Sequence, residues 1–327
     1  MSRQIVTADI GGTHARFALA TINGGKVEGL SDPVTLRTAE HASLQTAWED
    51  FGRQINQPLP RELAIAFAGP IGGELLKLTN NPWVIRPALI AEKLGVDRFT
   101  IVNDFGAVGH AVATLDEGAY AHLCGPDESL PTTGVVGIIG VGTGLGVASL
   151  LRTATGYHVL ESEGGHIDWA PLDSLEDRIL LELRRGFRRV SAERVVSGRG
   201  LVNIYEALGV IEGRPLNIRD ERQLWAAAMD GSDSLAAAAL DRLCLALGAV
   251  AGDLALTQGA GAVVIAGGLG LRLANHLPRS GFRERFVAKG RFERRMDALP
   301  VKLIVHPQPG LHGAAAAFAE EHGGLSD

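Results

Sequence analysis

A short glycine-rich segment near the start of the chain has the composition of a phosphate-binding loop. Asp9-Ile10-Gly11-Gly12-Thr13 completes the hydrophobic run Gln4–Ile10, which is typical of a buried strand. Adjacent glycines let backbone N–H groups approach phosphate oxygens, and the Thr13 hydroxyl adds another donor. Asp9 can hold Mg²⁺ directly or through water. A hairpin turn would explain the same residues, so this segment alone leaves both interpretations open.

Two further glycine segments follow hydrophobic strands. Gly140-Val141-Gly142-Thr143-Gly144 repeats the first pattern, and Gly267-Gly268 follows the apolar run Ala262–Ala266, where a flat base can lie against the backbone. The sequence has neither a P-loop Gly-Lys-Ser/Thr nor a G-x-G-x-x-G fingerprint. Three segments of one kind therefore favour nucleotide binding over three unrelated turns. The nucleotide would be bound by loops of a type other than the P-loop or the dinucleotide-binding loop.

Asn103-Asp104 stands at the end of another predicted strand, Arg98–Val102. Ligands of open α/β sheets bind beyond the carboxyl ends of such strands. A carboxylate placed there can accept the proton of an attacking hydroxyl. The alternative is structural, because Asp104 precedes a predicted helix over Phe105–Val112 and could serve as its N-cap.

A polar cluster, Glu161-Ser162-Glu163-Gly164-Gly165-His166-Ile167-Asp168, offers four titratable groups around a glycine bend. Such groups can bind a metal, hydrolyse a glycoside or hydrogen-bond the hydroxyls of a sugar. Metal binding is the weakest of these interpretations, since a lone His without a second His or Cys is a poor transition-metal set. Glu193 is either a further sugar ligand or a favourable acid in the first turn of a helix.

The elements that must position these residues alternate between strand and helix. Both halves begin with a hydrophobic strand, a Gly/Thr turn and a second strand, which indicates a diverged internal duplication. The second half then becomes mainly helical, including a long Ala-rich helix over Ser232–Gln258. The pattern predicts an α/β protein whose two domains are 1–108 plus about 304–327 and 109–303.

Composition excludes several classes of protein. The 327 residues carry a net charge of −6, which argues against general nucleic-acid binding. Two cysteines provide neither a disulfide framework nor a multi-cysteine zinc site. The start of the chain shows no secretory signal, so we expect a cytoplasmic protein. The charge-free stretch between Glu128 and Arg152 is interrupted by glycines, and it predicts two buried strands rather than a membrane span.

Seven segments carry a family resemblance along essentially the whole chain. They are Ala8–Arg16, Leu78–Trp83, Asn103–Phe105, Gly142–Val147, Glu163–His166, Ser191–Arg194 and Ala266–Gly268. Together they resemble bacterial glucokinases of the non-zinc type, in the hexokinase and actin superfamily, and most of all the alphaproteobacterial members. One departure is His14, where the family usually has Asn. It matters little, because the phosphate contacts are mainly made by the backbone.

The resemblance implies a role for each matching residue. The first phosphate loop would comprise Ala8, Asp9, Ile10, Gly11, Gly12 and Thr13, the second Gly142, Thr143 and Gly144, and the adenosine side Gly267 and Gly268. The sugar ligands would be Asn80, Asn103, Asp104, Glu163, His166 and Glu193. Asp104 would also be the catalytic base, and Asp9 would hold Mg²⁺ through water.

The implied fold is a two-domain actin-like, RNase H-like ATPase fold of duplicated β-β-β-α-β-α units, with the active site in the interdomain cleft. The implied reaction converts ATP and D-glucose to ADP and glucose 6-phosphate, the first step of glycolytic or Entner–Doudoroff glucose use, with Mg²⁺ present and water excluded by domain closure. The family's zinc-bearing relatives have a cysteine-rich loop after the Glu163–His166 motif. This chain has no cysteine there, so we expect no structural zinc. A homodimer is expected, with no nucleic-acid or membrane partner.

Other functions remain open at this stage. A kinase for fructose, mannose or N-acetylglucosamine would use the same constellation. Non-catalytic members of the superfamily include sugar-responsive repressors and actin-like filament formers. A repressor should carry a helix-turn-helix before its first phosphate loop, yet only eight residues precede Asp9. A filament former would have no reason to place Glu163, His166 and Glu193 around a sugar-sized pocket.

Overall fold

The computed structural model of the chain describes residues 2–78 and 81–323, and strands and helices alternate along them. The strands are β1 (Arg3–Ile10), β2 (His14–Asn23), β3 (Lys26–Leu30), β4 (Val34–Arg37), β5 (Glu62–Phe67), β6 (Leu76–Lys77), β7 (Val84–Ile85), β8 (Arg98–Asn103), β9 (Tyr120–Cys124), β10 (Gly134–Val141), β11 (Leu145–Thr153), β12 (Gly156–Ser162), β13 (Ala262–Ala266) and β14 (Val301–Ile304).

The helices are concentrated in the second half, as the sequence predicts. They are α1 (Leu44–Ile55), α2 (Ile90–Leu94), α3 (Asp104–Thr114), α4 (Ser174–Gly186), α5 (Gly198–Glu212), α6 (Glu221–Asp230), α7 (Ser234–Gln258), α8 (Gly267–Arg272), α9 (Phe282–Val287), α10 (Glu293–Asp297) and α11 (Pro309–His322).

The chain divides into two compact units. The first comprises the described residues of Met1–Asp116, Val159–Glu161 and His306–Asp327, and the second comprises Glu117–His158 and Ser162–Val305. The domain division predicted from the sequence stays a prediction, because folding of each part as a separate domain is a property of the molecule in solution.

The sheet of the first unit has the strand order β3-β2-β1-β5-β8, with β4 paired to β2. Strand β1 runs antiparallel to β2 and parallel to β5, which in turn is parallel to β8. Successive residues of a strand face opposite sides of a sheet. Accordingly, Ile5 belongs to the cluster that includes Phe318 of α11, whereas Val6 belongs to the cluster that includes Phe51 of α1. Both faces of this sheet are therefore covered.

The parallel strands of the first unit determine where its polar residues meet. Strands β1, β5 and β8 are neighbours and run in one direction, so their carboxyl ends lie at the same edge of the sheet. The segments that follow them begin at Gly11, Ala68 and Asp104. This edge is where open α/β sheets bind their ligands.

The sheet of the second unit has the order β12-β11-β10-β13-β14-β9. Strands β10 and β11 are antiparallel, and they confirm that the charge-free stretch forms two strands around a glycine turn. Strand β10 is parallel to β13, and β13 is parallel to β14. The two sheets thus repeat one arrangement, three consecutive strands followed by two parallel strands, which is the duplication that the sequence indicates.

Helix α7 is the core helix of the second unit. Among the described residues it is the one helix long and apolar enough to cross a membrane, but 72% of its most apolar stretch is buried inside the protein. Helices α5, α6 and α9 pack against it. Close approach of α9 depends on small residues, because a Cβ at Gly248 would overlap the carbonyl group of Phe282. The apolar character of α7 is explained by this packing.

Candidate active site

The first glycine loop is fixed by bonds to the carbonyl that precedes Thr13. The Gly12 carbonyl oxygen accepts hydrogen bonds from Thr38 Oγ1 at 2.8 Å and from Asn81 Nδ2 at 3.0 Å. In a trans peptide the C=O and N–H groups point in opposite directions. The Thr13 N–H therefore points away from Thr38 and Asn81, and among the described residues it donates to no other group. A fixed, unpaired N–H is what a phosphate oxygen requires.

Asp9 lies at the base of this loop beside Arg16. The two residues are opposite each other in the β1–β2 ladder, and Asp9 Oδ2 accepts a hydrogen bond from Arg16 Nη1 at 3.2 Å. Burial raises the pKa of Asp9, while the Arg16 guanidinium acts in the opposite direction. Gly310 at the start of α11 lies against the carboxylate, since a Cβ there would be 3.3 Å from Oδ2. The Asp9 carboxylate therefore lies between Arg16 of β2 and the start of α11.

Asn103, and not Asp104, is the N-cap of helix α3. Its Oδ1 accepts hydrogen bonds from the N–H groups of Phe105 and Gly106, and its Nδ2 donates to the carbonyl oxygen of Gly69. The structural alternative considered for Asp104 is therefore wrong: Asp104 is the first residue of the helix, and the extended residue before it, Asn103, is the cap. Most of the hydrogen-bonding capacity of Asn103 is already used within the protein, so one N–H of its amide remains for a ligand.

Asp104 lies in surroundings that raise the pKa of its carboxyl group. Burial raises its pKa to about 6, and the negative charges of Asp9 and Glu161 contribute in the same direction, although the N–H of Phe105 bonds its Oδ1 and opposes the rise. A carboxylate with that pKa is largely ionised at neutral pH and accepts a proton more readily than an ordinary aspartate. Both the position of Asp104 at the end of β8 and its raised pKa are therefore suited to proton acceptance.

The second glycine loop repeats the construction of the first. The Gly142 carbonyl oxygen accepts a hydrogen bond from the N–H of Gly198 at 2.8 Å, at the start of α5, and the Gly142 N–H donates to Gly144 at 2.9 Å. The peptide N–H of Thr143 therefore points away from α5. Within the described residues it has no acceptor. Both loops thus present a threonine N–H whose preceding carbonyl is tied down.

Glu193 contacts this second loop directly. It lies on the short 3₁₀ turn Ala192–Arg194, and its Oε2 accepts a hydrogen bond from the N–H of Leu145 at 3.0 Å. A Cβ on Gly144 would lie 2.5 Å from the same oxygen. The glycine at 144 is therefore needed for the carboxylate of Glu193 to reach the backbone, and the other oxygen of that carboxylate is left for a ligand.

Glu163 precedes, and His166 ends, the 3₁₀ turn Gly164–His166, which packs closely on β11. The side chain of Glu163 is 85% exposed and that of His166 is 54% exposed, and their Oε2 and Nε2 atoms are 3.8 Å apart. Between them, a Cβ on Gly165 would overlap the carbonyl group of Leu145. The adjacent glycine pair is thus required by packing, and it leaves both polar side chains free to meet a ligand.

The predicted residues of the second unit come together. The turn that carries Glu163 and His166 contacts the turn that carries Glu193, and the N–H of Ala192 donates to the carbonyl oxygen of Ile167 at 2.8 Å. Gly267 has a φ of +89° and lies so close to Val141 that a Cβ would overlap its carbonyl. Gly267-Gly268 therefore adjoins the glycine loop that begins at Gly142.

The first unit likewise gathers its predicted residues at one edge of its sheet. Asp9 and the Gly11–Thr13 loop lie at the end of β1, and the Asn103–Asp104 pair lies at the end of β8, two strands away in the sheet. The predicted sugar ligand Asn80 lies outside the described residues. Sequence reasoning missed Thr38, Arg16 and Gly69. The Gly69-Pro70 pair, which follows Ala68 after the end of β5, was an available signal, since it stands near a strand end like the other segments.

The described residues contain no group of three or more His, Cys, Asp and Glu side chains arranged to hold a metal ion. Both cysteines, Cys124 and Cys244, are free and buried, and burial raises the pKa of each thiol, to about 11 and about 12. Neutral buried thiols act as small apolar groups rather than as ligands. The expectation that the protein carries no structural zinc stays a prediction.

Comparison with known proteins assigns the chain to a family. A family model described as Glucokinase matches residues 6–321. A glucokinase of Zymomonas mobilis is 63% identical over 319 residues, which cover 98% of this chain and 98% of that protein. The chain belongs to the glucokinase family. The family resemblance that the seven motif segments indicate is therefore confirmed.

Solved structures confirm the fold of this glucokinase family member. A crystal structure of a glucokinase from an Antarctic psychrotroph has a TM-score of 0.85 and 34% identity, and the match covers 97% of this chain and 99% of the other. A ROK hexokinase from Thermus thermophilus, 21% identical, has a TM-score of 0.63 over 98% and 100% of the two chains, which shows a shared fold alone. The predicted two-domain α/β fold of the actin-like ATPase type is confirmed.

Proposed function

We propose that this protein transfers the terminal phosphoryl group of ATP to the 6-hydroxyl of D-glucose, with Asp104 as the base. The observation that carries the residue assignment is the environment of Asp104. Its carboxylate stands at the carboxyl edge of parallel strands, in the same unit as a loop with an unpaired backbone N–H, and its pKa is about 6. The relatives at 63% and 34% identity are themselves named glucokinases.

In this mechanism Asp104 hydrogen-bonds the attacking hydroxyl and takes its proton as the bond to phosphorus forms. Asn103 orients the sugar through its remaining amide N–H. The N–H groups of Thr13 and Thr143 donate to phosphate oxygens, which disperses the negative charge of the transferring group. Little covalent chemistry is left to the protein, so positioning supplies most of the rate.

The second unit supplies the other sugar contacts. Glu193 keeps one carboxylate oxygen on the N–H of Leu145 and offers the other to a sugar hydroxyl. Glu163 and His166 offer a carboxylate and an imidazole from the adjoining turn. Polar groups bound to hydroxyl groups discriminate strongly between sugars, because a mismatched hydroxyl leaves a polar group that the bound sugar covers without a partner.

Mg²⁺ belongs to the same proposal, with Asp9 as the residue that would hold it through water. The donor chemistry fits, since a carboxylate oxygen together with substrate phosphates is the usual environment of this ion. Arg16 occupies Oδ2 of Asp9, whereas Oδ1 has no hydrogen-bond partner among the described residues. When bound, the ion would neutralise charge on the phosphate oxygens.

A panel of hexoses tests the function. Purified protein is assayed with ATP, Mg²⁺ and glucose, fructose, mannose or N-acetylglucosamine, and kcat/KM is measured for each sugar. We expect the value for glucose to exceed the others by at least about tenfold, because several hydroxyl contacts must match at once. A higher value for another hexose would replace glucose as the substrate. Absence of ADP release with every sugar would indicate a non-catalytic member of the superfamily.

A homodimer in the cytoplasm is proposed on the family resemblance. Light scattering of the purified protein measures its molar mass in solution. We expect about twice the 34.4 kDa of one chain, and a mass of one chain would contradict the dimer. Cell fractionation measures the compartment.

Substitution of the two exposed sugar ligands should change sugar recognition rather than ATP affinity. We expect Glu163→Gln and His166→Ala each to raise the glucose KM by about tenfold, the effect of one lost charge-assisted hydrogen bond. The ATP KM should change less than about twofold. If the two residues only stabilise the bend at Gly164-Gly165, the melting temperature should fall while the glucose KM of the folded fraction stays constant.

Removal of metal should abolish activity in a way that Mg²⁺ alone restores. After treatment with EDTA and dialysis, we expect full activity once Mg²⁺ is added back, and no stoichiometric zinc by elemental analysis. The physical reason is that this chain lacks the soft ligands that structural zinc requires. Recovery that depends on zinc would contradict the assignment to the non-zinc type.

A further inference from the structure

Glu161 reaches the residue next to the proposed base. It lies on β12, 58 positions further along the chain, and its Oε1 is 3.3 Å from the backbone nitrogen of Asn103, which donates a hydrogen bond to it. Strand β8 ends at Asn103 and helix α3 begins at Asp104. The Glu161 carboxylate therefore binds the junction that sets the direction of the Asp104 side chain.

Two glycines of α3 make room for this contact. A Cβ on Gly106 would overlap the Glu161 carboxylate, and a Cβ on Gly109 would lie 2.5 Å from Cγ1 of Val159. Gly106 and Gly109 are three residues apart and share one face of the helix. Val159 and Glu161 are two residues apart and share one face of the strand. The two glycines of the helix thus face the two side chains of the strand, and the absence of a Cβ at each glycine leaves space for them.

Glu161 is otherwise without an ion-pair partner in the part of the chain that the structure describes. Burial raises its pKa, and the bond from Asn103 opposes the rise. Glu161 is nevertheless an exposed residue, so burial of a charge does not explain its placement. The geometry that points to a role is the hydrogen bond from the Asn103 N–H, directly before the proposed base.

We propose that Glu161 is a positioning residue for Asp104: it holds the Asn103–Asp104 junction and places a negative charge beside the base. This inference rests on the proposed function, and it deepens the account of how the base is prepared. Asp9 on β1, paired with Arg16 on β2, is the other acid that acts on Asp104. On α3 itself His110 stays neutral, since burial lowers its pKa to about 4.

Three variants separate the hydrogen bond, the charge and the packing. Glu161→Ala removes the acceptor and the charge, and we expect kcat for glucose at pH 8 to fall about tenfold. Glu161→Gln keeps an acceptor for the Asn103 N–H, so kcat should stay within about twofold of wild type. Val159→Ala is the matched control, because it loosens the packing of the same strand without altering charge. Its melting temperature should fall while kcat is unchanged.

The charge effect is measured without sugar or ATP. In protein labelled with ¹³C at the aspartate carboxyl carbons, the Asp104 signal is assigned by its loss in Asp104→Asn and titrated by NMR. We expect Glu161→Gln to lower the midpoint by about half a pH unit, because removal of a neighbouring negative charge favours ionisation. Val159→Ala should leave the midpoint unchanged.

Two results would overturn the inference. One is an Asp104 midpoint that does not move in Glu161→Gln, and the other is a loss of kcat in Glu161→Ala that Gln at this position does not restore. Because the NMR titration needs no reaction, failure of the protein to phosphorylate glucose would refute the proposed function and leave this test intact.

Discussion

Asp104→Asn should reduce kcat by about 10²–10⁴-fold while glucose still binds. The amide keeps the size and hydrogen-bonding geometry of the carboxylate, but it cannot take the proton of the attacking hydroxyl. Steady-state kinetics and isothermal titration with glucose measure the two quantities on the same preparation. Asp32→Asn, which neutralises an exposed acid of the same unit, is the control and should retain wild-type kcat.

The pH dependence of the wild type provides an independent check. Because the pKa of Asp104 is about 6, the base is ionised above that pH and protonated below it. We therefore expect kcat/KM for glucose to be constant at neutral pH and to fall about tenfold for each unit below pH 6. Asp104→Asn should lose this acid limb. Near-wild-type turnover in the variant would remove Asp104 from the role of base.

The sequence predicts those parts of the site that are formed by residues close together along the chain. The loop at Asp9–Thr13, the Asn103–Asp104 pair and the strand ends that carry them are local patterns, because a strand followed by a polar turn is written in consecutive residues. Alternation and glycine placement are sufficient to find them. The duplication predicts that the two sheets share one strand order, but which order that is comes from the structure.

Contacts between distant segments could not be predicted. The sequence shows Glu161 only as one acid in a polar cluster, and nothing in its neighbours indicates a hydrogen bond from Asn103. The N-cap of α3 could not be assigned for a related reason: Asn103 and Asp104 are both residues that cap helices well, and the extended backbone of Asn103 at the end of β8 decides which of them takes that position. Similarly, Gly165 reads as a flexible bend, whereas the structure requires it for contact with Leu145.

Gly144 lies where the second glycine loop contacts Glu193, a proposed sugar ligand. In Gly144→Ala the new methyl group would lie 2.5 Å from Oε2 of Glu193, so the carboxylate must leave the N–H of Leu145. The end of a flexible side chain can move, so the fold should survive. We expect kcat/KM for glucose to fall by about 10–100-fold, the cost of displacing a charged hydrogen-bonding group. Steady-state kinetics in both substrates measure the effect.

Gly142→Ala is the matched control within the same loop. A Cβ at Gly142 would meet no atom within 4 Å, so Glu193 should stay in place and the glucose KM should remain within about twofold of wild type. Any loss in this variant should appear in the ATP KM, because Gly142 belongs to the loop assigned to phosphate. A double-mutant cycle then shows whether the loss in Gly144→Ala is caused by displacement of Glu193. If the methyl group acts by displacing Glu193, Gly144→Ala should cost almost nothing further in a Glu193→Ala background. Additive losses would show that Gly144 acts on the loop itself, and Glu193 would then lose its proposed connection to it.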